Sequence, residues 1–189
     1  MTDRVTDPWL EQGAEPLTAV VIGGGPAGLM AAEQLLLAGH RVDLFDAMPS
    51  VGRKLLLAGI GGLNITHAEA ADAFLARYAE SSPQLAPMLS TLDAAALRDW
   101  VHGLGVQTFV GSSGRVFPQE MKAAPLLRRW LQRLRSQGLQ VHTRQRWTGW
   151  HASGALTFMG PSGECLVTAR VTVLALGGGS WARLGTDGA

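Results

Sequence analysis

A glycine-rich turn near the N-terminus holds the residues whose spacing points most directly to ligand chemistry. Gly23, Gly25 and Gly28 fit the pattern G-x-G-x-x-G, and Pro26 and Ala27 lie between the last two. In this pattern the first glycine permits a tight turn, the second lets a pyrophosphate approach the backbone, and the third lets a helix pack against a strand. The helix that follows adds free N–H groups and a partial positive charge. The turn is therefore predicted to bind the phosphates of a dinucleotide.

An acidic residue follows this turn at the distance that a dinucleotide site requires. Asp46 comes at the end of the apolar segment RVDLFD, where its carboxylate can accept hydrogen bonds from ribose hydroxyls. Asp43 is a weaker candidate because it lies inside the same segment. An acid at this place disfavours a 2′-phosphate, so NADP is not expected in the site. FAD and NAD both remain open on these residues, and a glycine turn that binds nothing is the disfavoured alternative.

The segments around these residues predict an α/β fold. The apolar run 17–22 reads as a buried strand, 26–38 as a helix that stops at a glycine, and 41–46 as a second strand. Together they form a βαβ unit. The apolar segment 171–176, which ends in three glycines, is predicted to be a further strand of the same parallel sheet.

The remaining segments suggest helices first and a small antiparallel sheet later. Helical patterns are predicted over 69–80, 94–104 and 121–136, strands over 106–110 and 139–143, and an antiparallel meander over 147–171. The meander is expected to cross over one face of the parallel sheet.

Composition narrows the classes of protein to which the chain can belong. Apolar residues make up 47% and charged residues 16% of the chain, which is typical of a compact globular protein. The formal net charge of +1 gives no reason to expect nucleic acid or acidic membranes as partners. Cys165 is the single cysteine, so no internal disulfide is possible, and the five histidines lack metal-ligand spacing. A cytoplasmic protein with a small-molecule substrate and no metal is expected.

A basic segment leaves one alternative to be weighed. Eight basic residues lie between 115 and 146, where Glu120 is the only acid. A nucleic-acid surface would have such charges, but Arg128, Gln132 and Arg135 share one stripe of a helix. The solvated face of the helix predicted over 121–136 is the favoured interpretation.

Three later segments resemble the BaiN/YhiN-like FAD-dependent oxidoreductases. Residues 52–66 are similar to that family's G-(R/K)-K-hydrophobic-G-G-x-N-x-T loop, and 114–118 to its G-R-V-F-P segment. Residues 173–188 resemble its A-T-G-G turn and the T-G-S-D-G that follows. Leu176 replaces the threonine of that turn, and Leu63 replaces an arginine of the commoner glycine loop.

The resemblance implies a glutathione-reductase-type Rossmann domain that binds FAD noncovalently, and it implies the contacts within that domain. The ADP half is assigned to Gly23, Gly25, Gly28 and Asp46, and the flavin or ribityl side to Arg53, Lys54, Gly62 and Asn64. Ala175, Gly177 and Gly178 are placed beside the cofactor, and the backbone near Trp147 beside the adenine.

The resemblance also sets expectations about domains and activity. Residues 1–16 are expected to be a flexible tail, and 17–189 the first segment of an FAD-binding domain, incomplete at its C-terminus and cut before an inserted substrate domain. The expected reaction is hydride transfer to or from an unknown organic substrate, with NAD(P)H as a candidate electron donor and no catalytic acid or base assigned. An NAD-dependent Rossmann dehydrogenase is the rival enzyme, although the meander argues against it. An inactive, truncated dinucleotide-binding fragment is the other alternative.

Overall fold

The structure is a computed structural model that describes residues 17–58 and 60–179. The described chain divides into two compact units. The first unit comprises residues 17–55 and 134–179, and the second comprises residues 56–133 without 59. Among the described residues no helix is long and apolar enough to cross a membrane. The assignment of 17–189 to a single FAD-binding domain stays a prediction, and the tail at 1–16 lies outside the described residues.

The helices and strands follow one another in mixed order along the chain. They are β1 (Leu17–Ile22), α1 (Pro26–Leu37), β2 (Val42–Asp46), α2 (Arg53–Ala58), β3 (Thr66–His67), α3 (Ala71–Ala76), α4 (Ser82–Thr91), α5 (Ala94–Gly103), β4 (Thr108–Val110), β5 (Arg115–Pro118), α6 (Ala123–Ser136), β6 (Gln140–Thr143), β7 (Arg146–Trp150), β8 (Leu156–Gly160), β9 (Gly163–Val167) and β10 (Ala169–Leu174).

A four-stranded parallel sheet forms the centre of the first unit. Its strand order is β10-β1-β2-β6, and every neighbouring pair is parallel. Val20 and Val21 of β1 and Leu44 of β2 are fully buried, as expected for strands with both faces covered. The α/β fold with a parallel sheet begun by β1, β2 and β10 is confirmed. The sequence also predicted β6 as a strand, but not its place beside β2.

The antiparallel meander of the first unit packs on one face of the parallel sheet. Strands β7, β8 and β9 pair in that order. Leu156 and Phe158 of β8 share a buried cluster with Val20 and Phe45 of the parallel sheet. The rings of Phe45 and Phe158 stack with their centroids 4.3 Å apart. The predicted meander is therefore confirmed, and its apolar side supplies the core beneath the end of β2.

The second unit contains α3, α4, α5 and most of α6, together with a three-stranded antiparallel sheet of order β3-β5-β4. On α5 the side chain of Asp93 accepts a hydrogen bond from Ala96 N at 2.7 Å, which caps the helix. The rings of Trp100 and Trp130 meet edge to face, 4.7 Å between centroids. This aromatic contact ties α5 to α6.

Several boundaries differ from the sequence prediction. The helix predicted over 69–80 is wrong in extent: α3 ends at Ala76, and a 3-10 turn at Ala79–Ser81 precedes α4, because Ala79 takes a positive φ of 46°. Met121 also has a positive φ, so α6 begins two residues later than predicted. The last strand covers 169–174 rather than 171–176.

The stacked phenylalanines generate a stability prediction. Phe158→Ala removes a fully buried ring and should lower the free energy of unfolding by about 3–5 kcal/mol. Leu37→Ala, at a side chain that is 64% exposed on α1, should change it by less than about 0.5 kcal/mol. Urea denaturation followed by circular dichroism measures both. Equal effects of the two substitutions would contradict the packing described.

Candidate functional site

One open cavity of about 740 Å³ lies in the first unit at the carboxyl ends of β1 and β2. Its volume falls in the range of small-molecule and cofactor sites. The lining residues come from the glycine turn, the end of β2, the start of α2, the β6–β7 corner and the loop after β10. They include Ile22, Gly23, Gly24, Gly25, Pro26, Ala27, Phe45, Asp46, Met48, Arg53, Lys54, Gln145, Trp147, Ala175, Leu176 and Gly177.

Backbone approaches too close for a side chain shape the floor of this cavity. Gly23 has φ +108°, and a Cβ there would collide with the carbonyl oxygen of Ala175. A Cβ on Gly28 would collide with the carbonyl oxygen of Gly23. Gly25 differs from both, because nothing lies within 4 Å of the position its Cβ would take. Gly23 therefore lets the turn pack against the loop after β10, and Gly28 lets α1 pack against the turn. Gly25 leaves the backbone open to a ligand.

The N-terminus of α1 opens at this turn without a side chain to cap it. Gly25 occupies the N-cap with extended dihedrals, and Pro26 fills the first helical position. The first intrahelical hydrogen bond runs from Leu29 N to Gly25 O at 2.9 Å. Within the described chain no group accepts a hydrogen bond from the N–H groups of Ala27 and Gly28. These donors and the helix dipole suit an anionic group such as a pyrophosphate.

The carboxylate of Asp46 connects the glycine turn to the end of β2. Its Oδ2 accepts a hydrogen bond from Gly24 N at 2.7 Å, and its Oδ1 accepts one from Met48 N at 2.7 Å. Charge-assisted bonds of this kind hold the carboxylate in one orientation. Each oxygen keeps a lone pair for a further donor. Asp46 can therefore accept hydrogen bonds from a ligand hydroxyl without losing either backbone contact.

The β6–β7 corner borders the same cavity beyond Asp46. Backbone hydrogen bonds from Arg144 N to Met48 O and from Gln145 N to Asp46 O fix this corner against the end of β2. The next residue but one, Trp147, lines the cavity, and its ring meets that of Trp150 edge to face at 6.0 Å. Its buried Nε1 has no acceptor among the described residues. An indole N–H is normally paired when buried, so this donor suits a ligand-binding wall.

Two cationic side chains from the start of α2 complete the lining. Lys54 Nζ donates a hydrogen bond to the carbonyl oxygen of Gly178 at 2.9 Å, which ties α2 to the loop after β10. Arg53 lines the cavity, and its buried Nε has no partner within the described chain. Positive charge is thus available to a phosphate held at the glycine turn.

Most of the residues predicted from the sequence come together at this cavity. Ten of them line it: Gly23, Gly25, Pro26, Ala27, Asp46, Arg53, Lys54, Trp147, Ala175 and Gly177. Gly28 packs beneath the turn, and Gly178 contributes the carbonyl that Lys54 contacts. Gly62 and Asn64 belong to the second unit and do not line this cavity. The Ser180–Trp181 and 185–188 motifs lie outside the described residues.

Sequence reasoning missed the contacts that orient these groups. Gly24 and Met48 hold Asp46 through backbone N–H groups. Every residue except proline has such a group, so residue types do not predict these contacts. Asp43 is 2% exposed, and its Oδ1 lies 2.6 Å from His142 Nε2 across 99 residues of sequence. The His142 ring stacks on Phe45, 4.5 Å between centroids. Asp43 inside β2 thus holds β6 through His142. The charge of Asp43 within an apolar strand was the signal in the sequence from which such a contact could have been predicted.

Comparison with protein families identifies the family to which the chain belongs. The family model of the HI0933-like protein Rossmann domain matches residues 17–189. The chain belongs to this family. The HI0933-like proteins are FAD-dependent oxidoreductases of the BaiN/YhiN-like type, so the resemblance found in the sequence is confirmed.

Curated relatives match over shorter stretches. The ribosomal RNA dihydrouridine synthase of Haemophilus influenzae is 43% identical over 54 residues, which cover 29% of this chain and 14% of that protein. The beta subunit of the NADP(+)-dependent formate dehydrogenase of Moorella thermoacetica is 43% identical over 60 residues, covering 26% of this chain and 8% of the subunit. The matched stretches are a small part of both relatives.

Solved structures share the fold at low identity. The 3-ketosteroid-Δ4-(5α)-dehydrogenase of Rhodococcus jostii RHA1 superposes with a TM-score of 0.59 at 15% identity, over 91% of this chain and 48% of that one. THI4 of Thermovibrio ammonificans gives 0.56 at 18% identity, over 86% and 58%. Both likenesses concern the fold, and this chain spans about half the length of these two neighbours.

Gly25 and Gly28 differ in the space available for a side chain, which predicts different effects of an alanine at each position. Gly25→Ala meets open space and has φ −78°, which alanine accepts, so the free energy of unfolding should change by less than about 0.5 kcal/mol. The added methyl blocks the approach of a pyrophosphate, so affinity for ADP should fall by about tenfold or more. Calorimetric titration with ADP measures this.

Gly28→Ala is the matched control. Its methyl collides with the Gly23 carbonyl oxygen, so it should lower the free energy of unfolding by about 1–3 kcal/mol. If Gly25→Ala destabilised the fold as strongly and left ADP affinity unchanged, the assignment of the turn would be wrong.

Proposed function

We propose that the chain contributes the FAD-binding part of an oxidoreductase and holds the ADP half of FAD in the cavity of the first unit. The observation that supports this proposal most strongly is that an open, uncapped helix N-terminus at Gly25 and the fixed carboxylate of Asp46 line the same cavity. The pyrophosphate lies over the turn from Gly25 to Gly28, and the adenosine ribose hydroxyls donate to Asp46. The adenine lies against the backbone near Trp147.

The remaining residues are assigned to the flavin end of the cofactor. Arg53 and Lys54 place positive charge beside the phosphates and the ribityl chain. Ala175, Gly177 and Gly178 bring the loop after β10 against the cofactor. The flavin contacts of Gly62 and Asn64 stay a prediction from the family resemblance. Bound FAD supplies the hydride chemistry, while the protein supplies binding, orientation and charge.

An electron donor and an acceptor complete the proposed reaction. NAD(P)H gives up a hydride, and an organic substrate accepts the hydride and a proton, so that two electrons pass from donor to acceptor. An NAD-dependent dehydrogenase is the rival enzyme, and it would bind NAD in this cavity instead of FAD. Anaerobic titration with NADH and NADPH separates them: bleaching of a bound flavin absorption band supports FAD, and stoichiometric NAD binding to a colourless protein refutes it.

A second candidate names the acceptor as a uracil ring of RNA. The stretch that is 43% identical to a ribosomal RNA dihydrouridine synthase favours it. In this reaction a hydride and a proton add across the C5=C6 bond of uracil, and NAD(P)H leaves as NAD(P)⁺. A small organic acceptor with an activated double bond is the alternative within the same chemistry.

Asp46 provides the sharpest test of the proposed cofactor pose. Asp46→Ala should weaken ADP binding by about 1–3 kcal/mol, because a ribose hydrogen bond to a charged group is lost. The same ligand without its 2′-hydroxyl, 2′-deoxy-ADP, should bind the unsubstituted chain less tightly but should not be distinguished from ADP by the variant. Calorimetry with both ligands gives the coupling between Asp46 and the hydroxyl.

Glu164→Ala, which removes an exposed acid on β9, serves as the control and should leave both affinities unchanged. If the Asp46→Ala variant still bound ADP more tightly than 2′-deoxy-ADP, Asp46 would only stabilise the turn and would not contact the ribose hydroxyl.

A further inference from the structure

The three-stranded sheet of the second unit has one buried and one exposed face. Alternate residues of a strand point to opposite faces, and the register aligns Thr66 with Val116 and Thr108 with Pro118. Val116 and Pro118 are fully buried, and Thr66 is 8% exposed. The β5 part of this face is therefore buried, whereas Val110 on β4, which pairs with Val116, is 45% exposed. The opposite face carries a different set of residues.

The opposite face combines aromatic rings with a cation. Register places His67 beside Arg115 and Phe109 beside Phe117, all on this face. The rings of Phe109 and Phe117 lie 5.8 Å apart with their planes inclined by 30°. Phe109 is 40% exposed although it is a large apolar side chain. We call this surface, formed by His67, Phe109, Arg115 and Phe117, the β5 platform.

The charge of Arg115 on the β5 platform is available to an anion. Arg115 is exposed, and no described residue makes a hydrogen bond or ion pair with its guanidinium. His67 is held by Ser113, whose carbonyl oxygen lies 2.9 Å from Nε2. The nearby acid, Glu69, is already paired: its hydrogen bond with Arg77 lowers the pKa of the Glu69 carboxyl. Its negative charge is thereby compensated.

The β5 platform adjoins the glycine loop at Gly62. A Cβ on Gly62 would lie 2.6 Å from Met121 Cε and 3.7 Å from Phe117 Cε1. Leu63 N donates to Met121 O at 2.9 Å, which holds the loop in place. A planar group stacked on Phe117 would therefore lie next to Gly62.

We propose that the β5 platform binds single-stranded RNA, with an unpaired base stacked on Phe109 and Phe117 and a backbone phosphate on Arg115. The platform offers one exposed ring, Phe109, and one half-buried ring, Phe117, beside the cation of Arg115. Aromatic rings next to a cation are the elements by which proteins bind single strands. The inference rests on the second proposed function, which names RNA as the substrate. It also departs from the expectation that no nucleic acid is bound, which stays untested.

The arginine-rich helix α6 is the competing surface. Arg128 and Arg135 are exposed there, but Arg129 Nη1 donates to Gly105 O at 2.8 Å, and the Arg133 guanidinium lies 5.5 Å from the centre of the Trp100 ring. Two of the four arginines therefore serve the fold. The exposed pair has no exposed aromatic ring on the helix beside it, since Trp130 is 3% exposed.

The test is fluorescence anisotropy of a labelled oligouridylate with the full chain and its variants. Phe109→Ala should weaken binding about tenfold, because one stacking contact is lost. Phe109→Tyr, which keeps a stacking ring, should bind within about twofold of the unsubstituted chain. Arg115→Gln should weaken binding and reduce the slope of log affinity against log salt by about one.

Two controls decide where the RNA binds. Met88→Ala, at an exposed side chain of α4, and Arg128→Gln on α6 should both leave the affinity near that of the unsubstituted chain. Loss of binding with Arg128→Gln and none with Phe109→Ala would overturn the proposal. Absence of oligouridylate binding, or binding of free uridine monophosphate as tight as that of the oligomer, would also overturn it.

Flavin content and NAD(P)H-driven flavin reduction, measured on the same samples, separate this inference from the proposed function. If the protein binds flavin and the flavin is reduced, but Phe109→Ala leaves the RNA affinity unchanged, the β5 platform alone is refuted. RNA binding that depends on Phe109 and Arg115 in a protein that takes up no flavin supports the platform and refutes the cofactor assignment.

Discussion

The two hydrogen bonds that the Asp46 carboxylate accepts from Gly24 and Met48 are the interaction on which the first unit's site depends. They join the end of β2 to the turn that precedes α1 and to the loop that follows β2. The β6–β7 corner is bonded in turn to Asp46 and Met48 through backbone groups. A charged group at the end of an apolar strand would be costly without partners, and these backbone donors offset that cost. The same carboxylate keeps lone pairs for a ligand.

The glycine turn adds a second constraint, which acts through space rather than charge. Gly23 and Gly28 are needed because carbonyl oxygens occupy the places of their Cβ atoms, so the turn packs against the loop after β10 and α1 packs against the turn. The apolar cluster of Phe45, Phe158 and their neighbours supports this arrangement from below. Rigid packing under an open polar rim is what a cofactor site needs, since the binding groups are oriented before the ligand arrives.

Sequence patterns predicted the helices and strands that local residue spacing determines. They did not predict the pairing of strands that lie far apart in the sequence. The runs at 17–22 and 41–46 and the glycine turn between them predicted the βαβ unit, because apolar periodicity and φ requirements are local. The pairing of β6 with β2 brings together Asp43 and His142, 99 residues apart. The charge of Asp43 indicated that it needs a partner, but no local pattern identified His142. The β5 platform shows the same limit: Phe109 and Arg115 interleave across two strands rather than along one segment.

Amide hydrogen exchange with and without FAD is the measurement that tests the central claim most directly, because it reports each backbone N–H separately. The account predicts that FAD protects the amides of 23–28 other than Pro26, which has none, and those of 46–48 and 145–149. The distant turn at 153–154 should exchange at an unchanged rate. Protection confined to other segments, or none at residues 23–28 and 46–48 at saturating FAD, would contradict the claim that this turn and Asp46 hold the ADP half of the cofactor.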